Sequence, residues 1–241
     1  MPDNKNTDIY ELLLETGKAI TSEVELEKLV QQVTDIGTRI TGAQFGAFFY
    51  NVINQHGEEY LLYTISGVPK EAFSKFPMPR NTAIFHPTFA GLHTVRYDDV
   101  TKQPHYGLSS PHFGMPKGHL PVKSYLATPV ISPITHEVIG GLFFGHPSPG
   151  VFTEKSEQLI EGVAAQAAVA MINAKLFEEK RKTEQHLKEQ REQYRSIFNS
   201  TTDGMIIFNE QGTVIEVNKA VTDLMDYSFE ELKALTGADI F

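Results

Sequence analysis

Apolar residues recur every three or four positions near the N-terminus, which predicts two amphipathic helices within residues 8–41. Gly42 is suited to end the second helix, because glycine adopts the left-handed conformation without strain. Segment 44–53 is apolar, aromatic and too short for a further helix, so it indicates a buried strand. Segment 59–66 repeats this composition after a turn at 54–57, and the two segments therefore predict a β-hairpin.

The pattern changes between residues 67 and 122, where prolines interrupt every apolar run. We expect only short elements there, namely a helix around 82–90, a strand around 93–97 and then a long loop. Residues 124–132 and 137–146 are again rich in β-branched and aromatic residues, which predicts a second hairpin. The fold class is therefore α+β, with an antiparallel sheet flanked by helices.

A long helix is predicted after this sheet, with Thr153 as N-cap and residues 154–199 as its body. At 1.5 Å per residue it would span on the order of 70 Å. Its first half carries mainly small apolar residues at alternating spacings of four and three, which predicts packing on its own domain and on the same helix of a second copy. These dimer and signalling residues are Val163, Ala167, Ala170, Ala174 and Phe177. Residues 178–193 are strongly charged and indicate a solvated helical connector.

A second compact unit follows the long helix. Residues 204–218 predict two short strands around a turn at 210–212, and the helical segments KAVTDLMDY and SFEELKAL come next. Two strands and two short helices cannot close a hydrophobic core, so we expect a truncated domain.

Composition excludes several classes of function. The formal net charge of −9 opposes binding to nucleic acid and to anionic membranes. The absence of cysteine excludes disulfides, thiolate metal sites, cysteine nucleophiles and a thioether-linked bilin. The N-terminus lacks the pattern of a signal peptide, and no apolar run reaches the roughly 18 residues that a membrane span requires. We therefore expect a cytoplasmic segment without membrane contact.

The order of these elements resembles a GAF domain over residues 8–178, as found in bacterial multidomain sensor kinases. The segments that carry the resemblance are YDDVTKQPHYG, GHLPVKSYLATPVIS and EVIGGLFFGHPSPGVFTEKSEQLIEGVAAQAAVAMINAKLFEE. Residues 179–195 would form a coiled-coil-like helical linker. Residues 196–241 would be the N-terminal part of a PAS domain, whose opening the sequence EQYRSIFNSTTDGMIIFNEQGTVIEVNKAVTDLMDYSFEEL resembles. Asp226 stands where that family often has glycine.

The resemblance implies a sensory input module, most often of a histidine kinase, that passes noncovalent ligand binding along a dimeric helix. A diguanylate cyclase or a transcriptional regulator is an alternative parent, since both use such inputs. His186 lies in a charged helical stretch without the kinase phosphoacceptor motif. No Walker A or GxSxG motif is present, so we assign no catalytic residue.

Aromatic and polar residues of the middle region predict a small-molecule pocket. The candidate residues are Phe48, Tyr50, Tyr63, Phe85, Phe89, Tyr106, Phe113, His119, Tyr125 and Phe144. The same residues could equally fill the core of a domain that binds no ligand. The segment from Phe152 to Glu157 resembles the end of a cyclic-nucleotide motif, but Ser156 replaces its aspartate.

Seven histidines between positions 86 and 146 raise a second possibility, a metal or haem sensor or a metal-dependent enzyme. They are His86, His93, His105, His112, His119, His136 and His146, with Asp98 and Asp99 as possible oxygen ligands. No helix is predicted that would align them. We therefore assign no metal ligand, and the identity of any cofactor stays open.

Overall fold

The computed structural model describes residues 17, 23, 25–54, 57–69, 82–109, 113–115 and 118–234. The chain forms two compact units, residues 1–177 and 178–241. The first predicted helix lies outside the described residues except for Gly17, which is helical. The helices and strands of the first unit are α1 (Leu26–Thr41), β1 (Phe45–Asn54), β2 (Gly57–Ser66), α2 (His86–Phe89), β3 (Val95–Tyr97), β4 (Ser124–Ile131), β5 (Val138–His146) and the start of α3 (Glu154–Ser200).

The five strands form one antiparallel sheet in the order β2-β1-β5-β4-β3. Both predicted hairpins are confirmed, β1 with β2 and β4 with β5. The short strand β3 forms one edge and pairs only with β4 among the described strands, with Tyr97 opposite Tyr125. The sheet is therefore the expected α+β scaffold, and it separates two hydrophobic clusters.

One face of the sheet is covered by α1 and α3, and we call it the helix face. Alternate strand residues such as Phe48, Leu142 and Phe144 point into this cluster, where they meet the buried sides of the two helices. The opposite face packs against α2 and the surrounding loops, and we call it the loop face. Because strand side chains alternate, neighbouring residues such as Phe143 and Phe144 belong to different faces.

Two predicted helix ends agree with the structure, the C-terminal end of α1 and the N-terminal end of α3. Gly42 ends α1 in the left-handed conformation (φ 71°), and its N–H donates to a carbonyl of the last turn. At the start of α3 the Thr153 hydroxyl accepts from the N–H of Ser156 at 3.2 Å, which confirms the predicted N-cap. Phe152, one residue earlier, is buried on the helix face and fixes the direction in which α3 starts.

The small residues of the first half of α3 pack inside their own unit, which is one of the two contacts predicted for them. Val163 and Ala167 are fully buried, and Ala170 and Ala174 are 4% and 3% exposed, all within the helix-face cluster. Because small side chains let α3 approach its own sheet closely, these four residues are buried and do not form an exposed stripe for a partner helix. Phe177 alone of the five is exposed, at 54%.

One window of α3 is apolar and long enough to cross a membrane by composition. However, 44% of that window is buried inside the protein. The buried alanines and valine described above explain its apolar character as that of a helix packed on a sheet.

The second unit contains the C-terminal part of α3 and a two-stranded sheet. The further elements are β6 (Ile206–Phe208), β7 (Val214–Val217), α4 (Lys219–Met225) and α5 (Phe229–Lys233). Ser228 and Glu231 form a reciprocal capping box at the start of α5. Both predicted strands and both short helices are therefore present.

Asn218 joins most of these elements through one buried side chain. Its amide nitrogen donates to the carbonyls of Phe198 and Asp203 and to the Thr201 hydroxyl. Its amide oxygen accepts from the N–H groups of Met205 and Val221. Every hydrogen-bonding site of the amide is used, so Asn218 ties the end of α3 to β6 and α4.

We expect Asp226→Gly to stabilise the second unit by about 1 kcal/mol. Asp226 ends α4 in the left-handed conformation (φ 55°), which glycine adopts without the steric cost of a Cβ atom. Gly42→Asp is the reverse change at the end of α1, where a Cβ would meet no atom within 4 Å. It should destabilise the first unit by a similar amount, as measured by urea unfolding, and a shift of the same sign in both variants would contradict this explanation.

Candidate functional site

Aromatic rings form a connected cluster on the loop face, centred on Phe143. The ring of Phe143 lies 5.1 to 5.3 Å from the rings of Phe49, Phe85 and Phe89. Tyr125 is 6.4 Å from it, measured between ring centroids. Most of these contacts are edge-on or tilted, which is the favourable geometry for aromatic pairs.

Two buried hydroxyl groups at this cluster lack a hydrogen-bond partner among the described residues. Tyr125 is 5% exposed and Thr88 is fully buried, and neither hydroxyl forms a hydrogen bond with any residue that the structure describes. Thr88 lies beside Phe143, because a Cβ on Gly141 would meet both side chains within 2.8 Å. A buried hydroxyl without a partner costs about 1–3 kcal/mol, so each marks a place where a ligand atom would gain a hydrogen bond.

Burial also fixes the charge state of the polar groups. It raises the pKa of Tyr125 well above the ordinary value, with a smaller contribution from Tyr97, so the phenol stays protonated. Burial lowers the pKa of His119, against the opposing effect of a hydrogen bond to the Leu120 carbonyl. Among the described residues, no charged side chain is buried. The site is therefore apolar and carries neutral donors.

The structure brings together only part of the predicted pocket. Phe85, Phe89, Tyr106 and Tyr125 lie on the loop face. His119 packs edge-on against Phe45 at 6.5 Å. Phe113 is 66% exposed, and the side chain of Tyr63 lies outside the described part of the chain.

Phe48, Tyr50 and Phe144 belong to the helix face and do not line this site. Phe48 and Tyr50 contact each other edge-on at 4.9 Å beneath the helices. Their assignment to the pocket was wrong because side chains of a strand alternate between faces, and the sequence alone did not show which set faces the helices.

A family model for the GAF domain matches residues 23–171, which is more than half of the chain. The chain belongs to the GAF-domain family. A PAS-domain model matches residues 192–241, so a PAS-type domain follows the GAF domain and the linker helix. Together the two domains make this chain a sensory and regulatory input module in signal transduction.

Solved structures agree with this fold at low sequence identity. The GAF domain of a phosphoenolpyruvate-protein phosphotransferase from Coxiella burnetii has a TM-score of 0.59 at 17% identity, and the match covers 72% of this chain and 98% of that one. The GAF domain of the Acinetobacter phosphoenolpyruvate-protein phosphotransferase has a TM-score of 0.57 at 17% identity, and the match covers 72% of this chain and 96% of that one. Free methionine-R-sulfoxide reductase from Neisseria meningitidis, in complex with its substrate, has a TM-score of 0.55 at 16% identity. That match covers 73% of this chain and 95% of the reductase. These likenesses concern the fold alone.

Sequence reasoning missed half of the GAF aromatic cluster. The missed residues are Phe45, Phe49, Tyr97 and Phe143. Phe49 and Phe143 directly follow or precede the chosen residues Phe48 and Phe144, whereas Tyr97 lies opposite the chosen Tyr125 on the neighbouring strand. The apolar stripe of α1 indicates that a helix covers one face of the sheet. Only the pairing register of β1, β4 and β5 shows which strand residues lie on that face.

The histidines that the structure describes in the GAF domain do not converge on one site. Among the described residues, no group of three histidine, aspartate or glutamate side chains is arranged to hold a metal ion. His86, His93, His105 and His136 are exposed, and His112 lies outside the described residues. Asp99 instead accepts from the N–H and hydroxyl of Thr101, which lowers the pKa of its carboxyl group.

The PAS unit has an open apolar groove of about 710 Å³. Tyr194 and Phe198 of α3 line it together with strand β6 and helix α4. The rings of Tyr194 and Phe198 stack at 5.4 Å, and the Tyr194 hydroxyl donates to Glu216 at 3.2 Å. These contacts attach the end of the linker helix to the PAS sheet.

Proposed function

We propose that the GAF domain binds a small, planar and uncharged ligand noncovalently at the loop-face cluster. The observation that carries this proposal is the Tyr125 hydroxyl, which is buried among aromatic rings and has no hydrogen-bond partner in the described part of the chain. A carbonyl or ring nitrogen of a ligand would accept from this phenol, and the Thr88 hydroxyl offers a second contact. The surrounding rings favour a flat, mainly apolar molecule.

Tyr125→Phe tests this proposal because it removes the hydroxyl and keeps the ring. We expect ligand-free protein to become equally or slightly more stable, by up to about 1 kcal/mol, since an unpaired buried hydroxyl is lost. We also expect native mass spectrometry to detect a bound small molecule in freshly purified wild type and none in the variant. Thermal-shift screening of uncharged aromatic metabolites should give hits with the wild type only.

Tyr97→Phe is the matched control, because the stacked partner loses the same atom from a half-buried position. This variant should still carry the small molecule in native mass spectrometry and should respond to the same metabolites in the thermal-shift screen. Wild-type protein that carries no small molecule and responds to none of the metabolites would contradict the ligand proposal.

We further propose that the chain works as a homodimer, joined through exposed apolar residues of α3. These residues are Val169, Leu176, Leu187, Tyr194 and Ile197, each at least 42% exposed. Their spacings of seven, eleven, seven and three place all of them at the first and fourth positions of one heptad repeat. A heptad stripe of this kind is complementary to a second copy of itself, and Asn173 occupies a first position, where a polar residue favours one register.

Sedimentation of the full chain tests the dimer. Leu176→Lys combined with Leu187→Lys should shift a wild-type dimer to monomer, with an increase in Kd of at least about a hundredfold, because two apolar contacts become repulsive. Gln185→Lys adds a positive charge on the opposite side of the helix and should leave the dimer intact. A wild type that is monomeric at high micromolar concentration would contradict the proposal.

The parent protein is, in this proposal, a cytoplasmic sensor histidine kinase, and the signal passes along α3 to the PAS domain. The order GAF, helix and PAS supports it. Incubation of the complete gene product with labelled ATP tests the assignment. Phosphohistidine is the expected product, and cyclic diguanylate formed from GTP would instead identify a cyclase.

A further inference from the structure

The edge strand β3 has different neighbours on its two sides. Val95 and Tyr97 point into the loop-face cluster, where the ring of Tyr97 stacks on that of Tyr125 at 6.1 Å. Arg96, between them, points the other way, and its Nε donates to Glu157 Oε2 at 2.8 Å. Glu157 lies in the first turn of α3. One three-residue strand therefore contacts both the proposed ligand site and the start of the exit helix.

Residues adjacent to the stacked tyrosines also hold the loop that leads into α3. The Asp98 carbonyl, next to Tyr97, accepts from the N–H of Gly150 at 3.0 Å. The Ser124 hydroxyl, next to Tyr125, donates to the Ser148 carbonyl at 2.8 Å and accepts from the N–H of Val151 at 2.9 Å. Ser124 is fully buried. The ends of β3 and β4 are thus fastened to the segment just before the helix.

These contacts are better suited to positioning than to stability. The Arg96 and Glu157 side chains are 31% and 27% exposed, and partly exposed ion pairs contribute little to the free energy of folding. Asp98 Oδ1 lies 3.8 Å from the guanidinium and Glu154 adds further negative charge. The acidic surroundings keep Arg96 next to the helix start, so a displacement of β3 must move or break its bond to Glu157.

We propose that Arg96 and Ser124 are positioning residues that transmit the packing of the Tyr97–Tyr125 pair to the first turns of α3. The physiological input to this link rests on the ligand site proposed above. The link itself is a property of the protein without ligand. When the stacked tyrosines move, β3 and the end of β4 move with them, and the first turns of α3 lose or gain order.

Hydrogen exchange of the amides in residues 154–165, measured on the full chain, tests this link. Tyr97→Leu removes the stacked ring and keeps an apolar side chain, and it should accelerate this exchange about tenfold. In a background carrying both Arg96→Met and Ser124→Ala, exchange should already be fast, and Tyr97→Leu should add less than about twofold. Arg96→Lys with native Ser124 should restore the response, because a cation remains within reach of Glu157.

Tyr106→Leu is the matched control, since Tyr106 packs on the same cluster from a loop and not from β3. It should leave exchange in residues 154–165 within about twofold of the wild type. Tyr97→Ile replaces Tyr97→Leu if the latter fails to fold, because a β-branched residue suits an edge strand. Equal acceleration by Tyr97→Leu in both backgrounds, or no acceleration in either, overturns the proposal. Neither result bears on ligand binding, which the Tyr125→Phe experiment tests separately.

Discussion

Phe144→Ala should lower the free energy of unfolding of the GAF unit by about 3–5 kcal/mol. Phe144 is 1% exposed and lies at the centre of the helix-face cluster. Its ring fills the space beside Gly37 of α1 and beside Gly46 of β1, where a Cβ would contact it. The deletion leaves a cavity between rigid helices and a sheet, which cannot collapse to fill it. Urea unfolding followed by circular dichroism measures the loss.

Phe113→Ala is the control for this prediction, because it deletes the same ring from a position that is 66% exposed. It should change the free energy of unfolding by less than about 0.5 kcal/mol. A loss for Phe144→Ala below about 1.5 kcal/mol would show that the helix face is loosely packed and that our assignment of this face as the main core is wrong.

Asn218→Leu should destabilise the PAS unit by about 4 kcal/mol or more, enough to unfold it while the GAF domain stays folded. The substitution removes five hydrogen bonds of one buried amide and leaves the Met205 N–H and the Asp203 carbonyl without this partner. The Val221 N–H keeps its bond to the backbone carbonyl of residue 218, and the Phe198 carbonyl keeps its bond from the Thr201 hydroxyl. Each uncompensated group costs about 1–3 kcal/mol where water cannot reach it. Limited proteolysis should then cut within residues 201–234, and strands β6 and β7 should lose protection from hydrogen exchange.

Asn209→Ala provides the comparison, since Asn209 is exposed and its side chain only accepts from Gln211 and Thr213 in a turn. It should cost about 1 kcal/mol or less and leave the proteolysis pattern unchanged. Wild-type protection of β6 and β7 in Asn218→Leu would mean that water satisfies the freed groups, which contradicts the central position given to Asn218.

Local patterns carried most of the fold. Residues within a few positions of each other determine the two hairpins, the left-handed Gly42 and the Thr153 cap, so these features could be predicted from the local sequence. The edge strand β3 and the short helix α2 are shorter than expected, because prolines and long-range packing set their ends.

The face of the sheet on which a strand residue lies was harder to predict than the secondary structure. Phe48 and Phe49 are adjacent and equally aromatic, yet one lies under the helices and the other in the proposed ligand site. Their assignment depends on the β1 register against β5, a contact between residues about 90 positions apart in the chain. The alanines of α3 pose the same difficulty, since small residues suit close approach to a sheet as well as to another helix.

The hydrogen bonds of Asn218 and Arg96 depend on distant partners. The five partners of the Asn218 amide come from α3, from the connecting residues 201–205 and from α4. Arg96 and Glu157 are 61 positions apart, and no periodicity links them. Polar contacts of this kind need the folded structure, because their partners meet only after the sheet and the helix have packed.

The burial of α3 in its own domain limits where this protein can be cut and rejoined. Residues 163–174 form one wall of the sensor, so a chimaera that joins a foreign output within this stretch would replace part of the GAF core. A junction within residues 179–193 changes only exposed positions of the helix. Engineered receptors built on this sensor should therefore be fused there, with the helix continued without a break.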